Sequence, residues 1–284
     1  MRKRLMAFIV VVAIVVVLAL FTPNQVTIDN CTIVTEPQQP SLVDMIPGIK
    51  AGVVHITCYK DGHSAVWQGS GFVVSERLVV TARHVVEGIE DFVITTDDGH
   101  VLSATRAISS KKHDLAFIYI DDLACVAEKC EYKYPCGFAV IRGKHDVVLK
   151  PTKLGSIAEC RLGQRIITIG SPYGSININS VTLGVVSGLD RNYGGLNDTN
   201  CDYGWSVAFQ QDSPGFPGNS GCPVFTTDGI VRGILVGGFD SSLIICMPCD
   251  LFTDDLDEIN SVFIQGKYYR EEKIDVAEEA WGYQ

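Results

Sequence analysis

Ten short runs rich in β-branched and aromatic residues, each cut off by turn residues, dominate the middle of the chain. They lie at 53–58, 71–74, 78–80, 92–95, 115–120, 165–169, 181–187, 223–225, 230–236 and 243–246. Strands this short, this closely spaced and with almost no long amphipathic helix between them predict an all-β sandwich or barrels. A length of 284 residues leaves room for one large β domain or two small ones. A hydrophobic content of 46% excludes a disordered chain.

Charge excludes another class. The formal net charge is -10, whereas a nucleic-acid binder needs a basic face. Residues 250–284 hold ten acids and three bases. The acidity therefore sits largely in a tail and says little about a substrate. Residues 264–284 read as that acidic tail, peripheral to the fold.

The first four residues include Arg2, Lys3 and Arg4, and an unbroken apolar run of 17 residues follows at 5–21. As a helix it spans about 26 Å, near the lower limit for crossing a bilayer. Residues 1–22 read as a signal anchor, or as a signal peptide with Val17-Leu18-Ala19 the one candidate cleavage signal. The expected product is a single-pass membrane protein with its body outside the cytoplasm, or a secreted one if the segment is cleaved. Residues 23–40, with Pro23, Pro37 and Pro40, read as a spacer.

Ten cysteines, at 31, 58, 125, 130, 136, 160, 201, 222, 246 and 249, agree with export and lead us to expect disulfides. Their pairing is not readable. The cluster Cys125, Cys130 and Cys136 invites a local bridge, and the lone C-x-x-C at Cys246 and Cys249 reads as structural. Asn30 and Asn197 open N-glycosylation sequons. A short helix is expected over 41–49 with Ser41 as its cap, and a closing helix over 251–263. The stretch 121–148 breaks the strand rhythm and reads as an insertion.

The sharpest chemical feature is Gly218-Asn219-Ser220-Gly221. A serine acts as a nucleophile only when its hydroxyl is exposed on a tight turn with donors beside it. Glycine at 218 frees the backbone to turn its N–H toward the site, so the N–H groups of Gly218 and Ser220 can hold an oxyanion. Such a turn alone is weak, and it needs a base and an orienting acid. His84, in Thr81-Ala82-Arg83-His84-Val85-Val86, follows a predicted hairpin and supplies the base. Asp114, opening the apolar strand after His113, supplies a carboxylate that can be buried against the imidazole.

Gly69-Ser70-Gly71-Phe72-Val73-Val74, Thr81-Ala82-Arg83-His84-Val85-Val86, His113-Asp114-Leu115-Ala116, Ile169-Gly170-Ser171-Pro172-Tyr173-Gly174, Gly184-Val185-Val186-Ser187-Gly188 and Gly218-Asn219-Ser220-Gly221 together resemble the chymotrypsin-fold serine proteases. The resemblance is narrower to the Deg/HtrA branch and runs from about Ser41 to Ile259, within an expected protease domain of 41–263 that includes the insertion. It implies two perpendicular six-stranded antiparallel β-barrels with the site between them, and the apolar run at 5–21 is expected to add an N-terminal transmembrane helix ahead of them. It implies His84 as general base, Asp114 as its orienting partner, Ser220 as nucleophile, and Gly218 with Ser220 as oxyanion hole. No cofactor or metal is implied, and the partners are polypeptide substrates.

Asp146 is a rival acid, also opening a strand. It stands five residues before Pro151, too few for the strand and turn that precede the matching loop, whereas Asp114 follows His84 by 30 residues, as in the family. Cys222 stands where a second glycine is usual and reads as buried. About 25 residues remain after Ile259, too few for the PDZ domain that usually follows in this branch. The substrate pocket is expected to use Ser213, Pro214, Gly215 and Phe216 with Val236 and Gly237 of the strand 235–239. Position 214 is Pro rather than an acid, which argues against a preference for Lys or Arg. The resemblance suggests small or medium aliphatic residues before the scissile bond. A catalytically silent protease fold serving as a binding or scaffold module is the competing reading.

Overall fold

Buried positions alternate with more exposed ones along Asp91–Thr96 and Val101–Ala104, and a strand that buries every second side chain must wrap a core on one face. The computed structural model describes residues 41–60, 64–125, 129–134, 137–142, 146–194, 204–240, 242–264 and 281–283. The anchor and spacer expected over 1–40, both sequons, Cys31, Cys136, Cys201 and most of the acidic tail lie outside the described residues. Among those described, no helix is long and apolar enough to cross a membrane.

Helix α1 (Leu42–Ile49) opens on Ser41, whose hydroxyl accepts the Asp44 N–H at 3.3 Å. Leu42, Met45 and Ile49 pack on the core. A first barrel follows, made of β1 (Val53–Lys60), β2 (Ser64–Val73), β3 (Leu78–Thr81), the one-turn helix α2 (Arg83–Val86), β4 (Asp91–Thr96), β5 (Val101–Ala104), β6 (Arg106–Ser110) and β7 (Ala116–Tyr119). The sheet runs β6-β7-β3-β2-β1-β4-β5. Only Thr105 separates β5 from β6, so they are halves of one bent strand. One half pairs with β4 and the other with β7, which closes six antiparallel strands into a ring.

The insertion holds a separate hairpin, β8 (Lys129–Tyr134) with β9 (Gly137–Arg142). The second barrel comprises β10 (Lys153–Leu154), β11 (Arg165–Gly170), β12 (Ser180–Arg191), β13 (Ala208–Gln211), β14 (Pro223–Thr226), β15 (Ile230–Gly238) and β16 (Ile244–Pro248). The order is β10-β15-β14-β11-β12-β13-β16, and the pairing of β15 with β16 closes six strands, with β10 added in parallel at one edge. The two six-stranded barrels expected from the sequence are thus present.

Helix α3 (Leu256–Ile264) leaves the second barrel and returns to the first. The Phe252 ring, just before it, meets Phe117 edge-on at 5.5 Å, and Phe263 stacks on Tyr119 at 5.0 Å. Arg106 lies over Tyr119 at 4.5 Å and donates to the Phe263 carbonyl at 2.9 Å. The short strand β17 (Trp281–Tyr283) pairs with β6. Two further ties cross between barrels. Thr152 donates its N–H to the Val73 carbonyl at 2.8 Å, and Asp97 accepts from both Lys50 and Asn179 at 2.7 Å.

The expectation of disulfides is corrected. Cys58, Cys125, Cys160, Cys222, Cys246 and Cys249 are all free and buried, and none is paired among the described residues. They are dispersed through two cores as small apolar groups. Cys58 sits in the first barrel and donates to the Val85 carbonyl at 3.2 Å, while Cys222 and Cys246 pack in the second.

Candidate active site

Strand β3 ends at Thr81 and α2 begins two residues later, which puts His84 on a tight turn at the rim of the first barrel. Asp114 sits where the chain enters β7 and is 1% exposed. Its carboxylate wraps the histidine. Oδ1 accepts the His84 backbone N–H at 3.0 Å, and the ring Nδ1 lies 3.1 Å from Oδ1 and 2.9 Å from Oδ2. Asp146, the rival acid, is exposed and bridges to Ala124 instead.

Burial pulls the His84 imidazole down, but the Asp114 carboxylate, with Glu87 adding to it, outweighs burial and holds it above its ordinary value of 6.5. Burial pushes the Asp114 carboxyl up; the adjoining His84 and its N–H, with Trp205, hold it below the usual carboxylate range. Asp114 is therefore an ion, and the ring Nδ1 is committed to it as a donor. The other ring nitrogen is left for chemistry, on a side chain that is 37% exposed.

Ser220 comes from the second barrel, on the turn before β14. Gly218 and Gly221 on either side have φ of +97° and +87°, a conformation glycine adopts without strain. The turn is locked to the first barrel. Ser70 of β2 donates its N–H to the Ser220 carbonyl at 2.8 Å and its hydroxyl to the Gly218 carbonyl at 2.7 Å. The same hydroxyl accepts the Ser171 N–H at 2.9 Å. A methyl group on Gly221 would stand 2.1 Å from the Ser70 carbonyl oxygen and 3.0 Å from Ala82 N, so the Ser220 turn abuts the residues that carry His84.

The Pro217 carbonyl accepts the Tyr173 N–H at 2.7 Å. In a trans peptide the following N–H points the opposite way, so this bond turns the Gly218 N–H away from Tyr173. The Gly218 peptide is thereby fixed in orientation before any substrate arrives.

A cavity of about 270 Å³ opens beside Ser220, walled by Gly215, Phe216, Leu235, Gly237 and Ile244, with Phe239 and Asp240 at its outer side. Gly215, Phe216 and Gly237 therefore stand where the sequence placed them. Three others do not. Ser213 is fully buried, bonds to Thr168 and Gln211, and does not line the cavity. Pro214 is exposed and does not line the cavity. Val236 is 2% exposed and packs in the core, because its strand neighbours Leu235 and Gly237 face the cavity and leave Val236 on the opposite side. Cys222 is fully buried, and burial raises its thiol far above the ordinary range, which makes it a poor nucleophile.

Trp205 was marked by no motif. Its indole N–H donates to Asp114 Oδ2 at 3.2 Å.

The order and spacing of these parts agree with a family model, the trypsin-like peptidase domain, which matches residues 69–234. The chain belongs to that family. Among peptidases of the family, a probable periplasmic serine endoprotease DegP-like from Halomonas elongata is 30% identical over 199 residues, covering 68% of this chain and 35% of that one. Serine protease HTRA1B from Danio rerio is 31% identical over 233 residues, 80% of this chain and 43% of its own. The chain thus spans less than half the length of these curated relatives. Among solved structures, the HtrA-type protease AlgW with tripeptide superposes with a TM-score of 0.57 at 22% identity, covering 80% of this chain and 65% of that chain. Deg5 gives 0.52 at 24% identity, over 75% and 90%. The fold is the Deg/HtrA-like form of the chymotrypsin fold.

Proposed function

We propose that this chain is a serine endopeptidase acting on polypeptides outside the cytoplasm, with His84, Asp114 and Ser220 as its triad. The observation that carries the assignment is the double grip of Asp114 on His84, through ring and backbone, beside a serine turn bolted to the same barrel. His84 takes the proton of the Ser220 hydroxyl as Oγ attacks the scissile carbonyl. The carbonyl oxygen becomes an oxyanion, held by the N–H groups of Gly218 and Ser220. Protonated His84 then gives its proton to the leaving amine, an acyl-enzyme remains, and water repeats the cycle to release the acid. Asp114 stays ionised throughout and stabilises the imidazolium. Among the described residues the His84 ring bonds only Asp114, and in this reading its bond to the Ser220 hydroxyl forms when substrate binds, as catalytic hydrogen bonds are often long or misaligned before then.

Aliphatic walls at Leu235 and Ile244 favour a small or medium apolar residue before the scissile bond, with the Asp240 Oδ1 at the outer side engaged by the Ser242 and Leu243 N–H groups. The basic start and apolar run at 5–21 support a membrane anchor or a cleaved export signal, and the periplasmic naming of one relative agrees with an extracytoplasmic site.

A fluorophosphonate probe should label the wild-type chain and not Ser220→Ala, and an unfolded protein substrate should be cleaved by the first alone. Absence of labelling and cleavage in the wild type would favour the scaffold reading. Equal cleavage by Ser220→Ala would remove Ser220 from the mechanism. A peptide library then reads the cavity, with Val or Leu expected over Lys, Arg or Asp before the cleaved bond.

A further inference from the structure

We propose that Trp205 is a positioning residue for the His84–Asp114 pair, holding the acid with its indole N–H while its ring braces the strand that forms the substrate cavity. The proposal rests on the peptidase reading above. Three contacts carry it. The indole Nε1 lies 3.2 Å from Asp114 Oδ2, the oxygen that also faces His84 Nδ1 at 2.9 Å. At its far edge, the ring occupies the place a side chain at 237 would take: a methyl group on Gly237 would stand 2.7 Å from Cη2 and 2.8 Å from Cζ2. The backbone is fixed as well, since Gly204 donates to the Lys112 carbonyl at 3.3 Å and forms a bridge with His113, while the Trp205 carbonyl accepts the Tyr193 N–H at 2.8 Å. One side chain from the second barrel thus touches both the acid of the first barrel and the wall of the cavity.

The residue type suits this task. A buried carboxylate must be compensated by donors, and Asp114 is 1% exposed. Indole N–H is donor only. It satisfies Oδ2 without offering a lone pair, so it cannot compete for the proton on His84 Nδ1, as a hydroxyl could. It also shares the charge of the carboxylate, which moderates how strongly Asp114 stabilises the imidazolium. Ring size matters at the other end. No smaller side chain reaches from Asp114 to Gly237, and any substituent at 237 would push the ring away.

The charged and titratable groups around the pair are few. Glu87 on α2 also acts on His84, while Lys112 and His113 precede Asp114. Burial, with Lys112 adding to it, holds His113 below 6.5. His113 thus loses its proton at lower pH than His84 does.

The test replaces Trp205 by its benzothienyl analogue, the same shape with sulfur in place of N–H, and separately makes Trp205→Phe, which shortens the ring too. Each is assayed on a cleaved peptide from pH 5 to 9, with fluorophosphonate labelling of the wild type as a control. The analogue should lower kcat about 5- to 10-fold at unchanged KM and move the acid limb of kcat/KM to higher pH. Trp205→Phe should do the same and also raise KM several-fold, because it releases Gly237. An analogue with wild-type kcat and an unmoved limb would overturn the proposal, as would a lower rate with the limb unmoved, which is the mark of a merely structural role. An unlabelled, inactive wild type would instead bring down the peptidase reading, and this proposal with it.

Discussion

The hydroxyl of Ser70 donates to the carbonyl of Gly218 at 2.7 Å, across the seam between the barrels. Ser70 is fully buried and also holds Ser171 and the Ser220 carbonyl, so one first-barrel residue fixes both loops that shape the proposed oxyanion hole. Ser70→Ala leaves the Gly218 carbonyl and the Ser171 N–H unpartnered. A lost oxyanion donor costs about 10²–10³ in rate, and loosening one indirectly should cost roughly 10- to 100-fold in kcat with KM within about twofold. Steady-state kinetics on a peptide substrate checks this, and a change in KM alone would contradict it.

The grip of Asp114 on His84 sets a pH dependence. Since the folded imidazole sits above 6.5, kcat/KM should rise with pH through a limb above 6.5. Asp114→Asn removes the charge that raises it, so the limb should move to lower pH while kcat drops by about 10⁴. A pH–rate series on both proteins decides it; a limb that stays put would show that another group controls the profile.

His55 works in the opposite direction. It is 1% exposed on β1, and burial, opposed by a bond to the Gly69 backbone, lowers its pKa to about 4. The unfolded chain therefore binds the extra proton first. The contribution is fully present above 6.5 and is lost as pH falls from there to about 4, at most ~3 kcal/mol. Urea melts at pH 7 and pH 4.5 should show this loss, and His55→Asn should flatten it. For His84, whose pKa is raised, the stabilising share is instead present below 6.5 and lost as pH rises through the folded value.

Two glycines at positive φ should respond differently to a methyl group. Gly163, at φ +82°, faces open space, so Gly163→Ala should cost only backbone strain, about 1–2 kcal/mol. Gly221→Ala meets the Ser70 carbonyl oxygen at 2.1 Å and Thr81 Oγ1 at 2.2 Å. It should cost at least ~3 kcal/mol and all activity. Thermal melts of the pair provide the comparison.

Much of this molecule was legible in the sequence because its information is local. The runs at 53–58 and 230–236 became β1 and β15, and the glycines around Ser220 announced a tight turn. What escaped depends on distant partners. The strands Arg106–Ser110 and Ala208–Gln211 each carry one large apolar residue, Ile108 and Phe209, among small or polar ones, and become strands because neighbours bury them. Val236 and Gly237 were placed at the cavity together, but neighbours on a strand face opposite sides, and it is Leu235 that joins Gly237 there. The cysteines were read by number, which cannot tell that the described ones are buried as free thiols in two cores. Trp205 sits in an irregular stretch 91 residues from Asp114, and no spacing rule links them.

Helix α3 closes back onto the barrel made first. Phe252 and Phe263 rest on Phe117 and Tyr119, one strand away from the turn that carries His84. During synthesis, the half bearing the acid and base emerges from the ribosome about a hundred residues before Ser220, yet it completes its packing only after Ser220 has followed. In a nascent chain, the half with the proposed acid and base therefore lacks this last layer of packing until the proposed nucleophile has also been made.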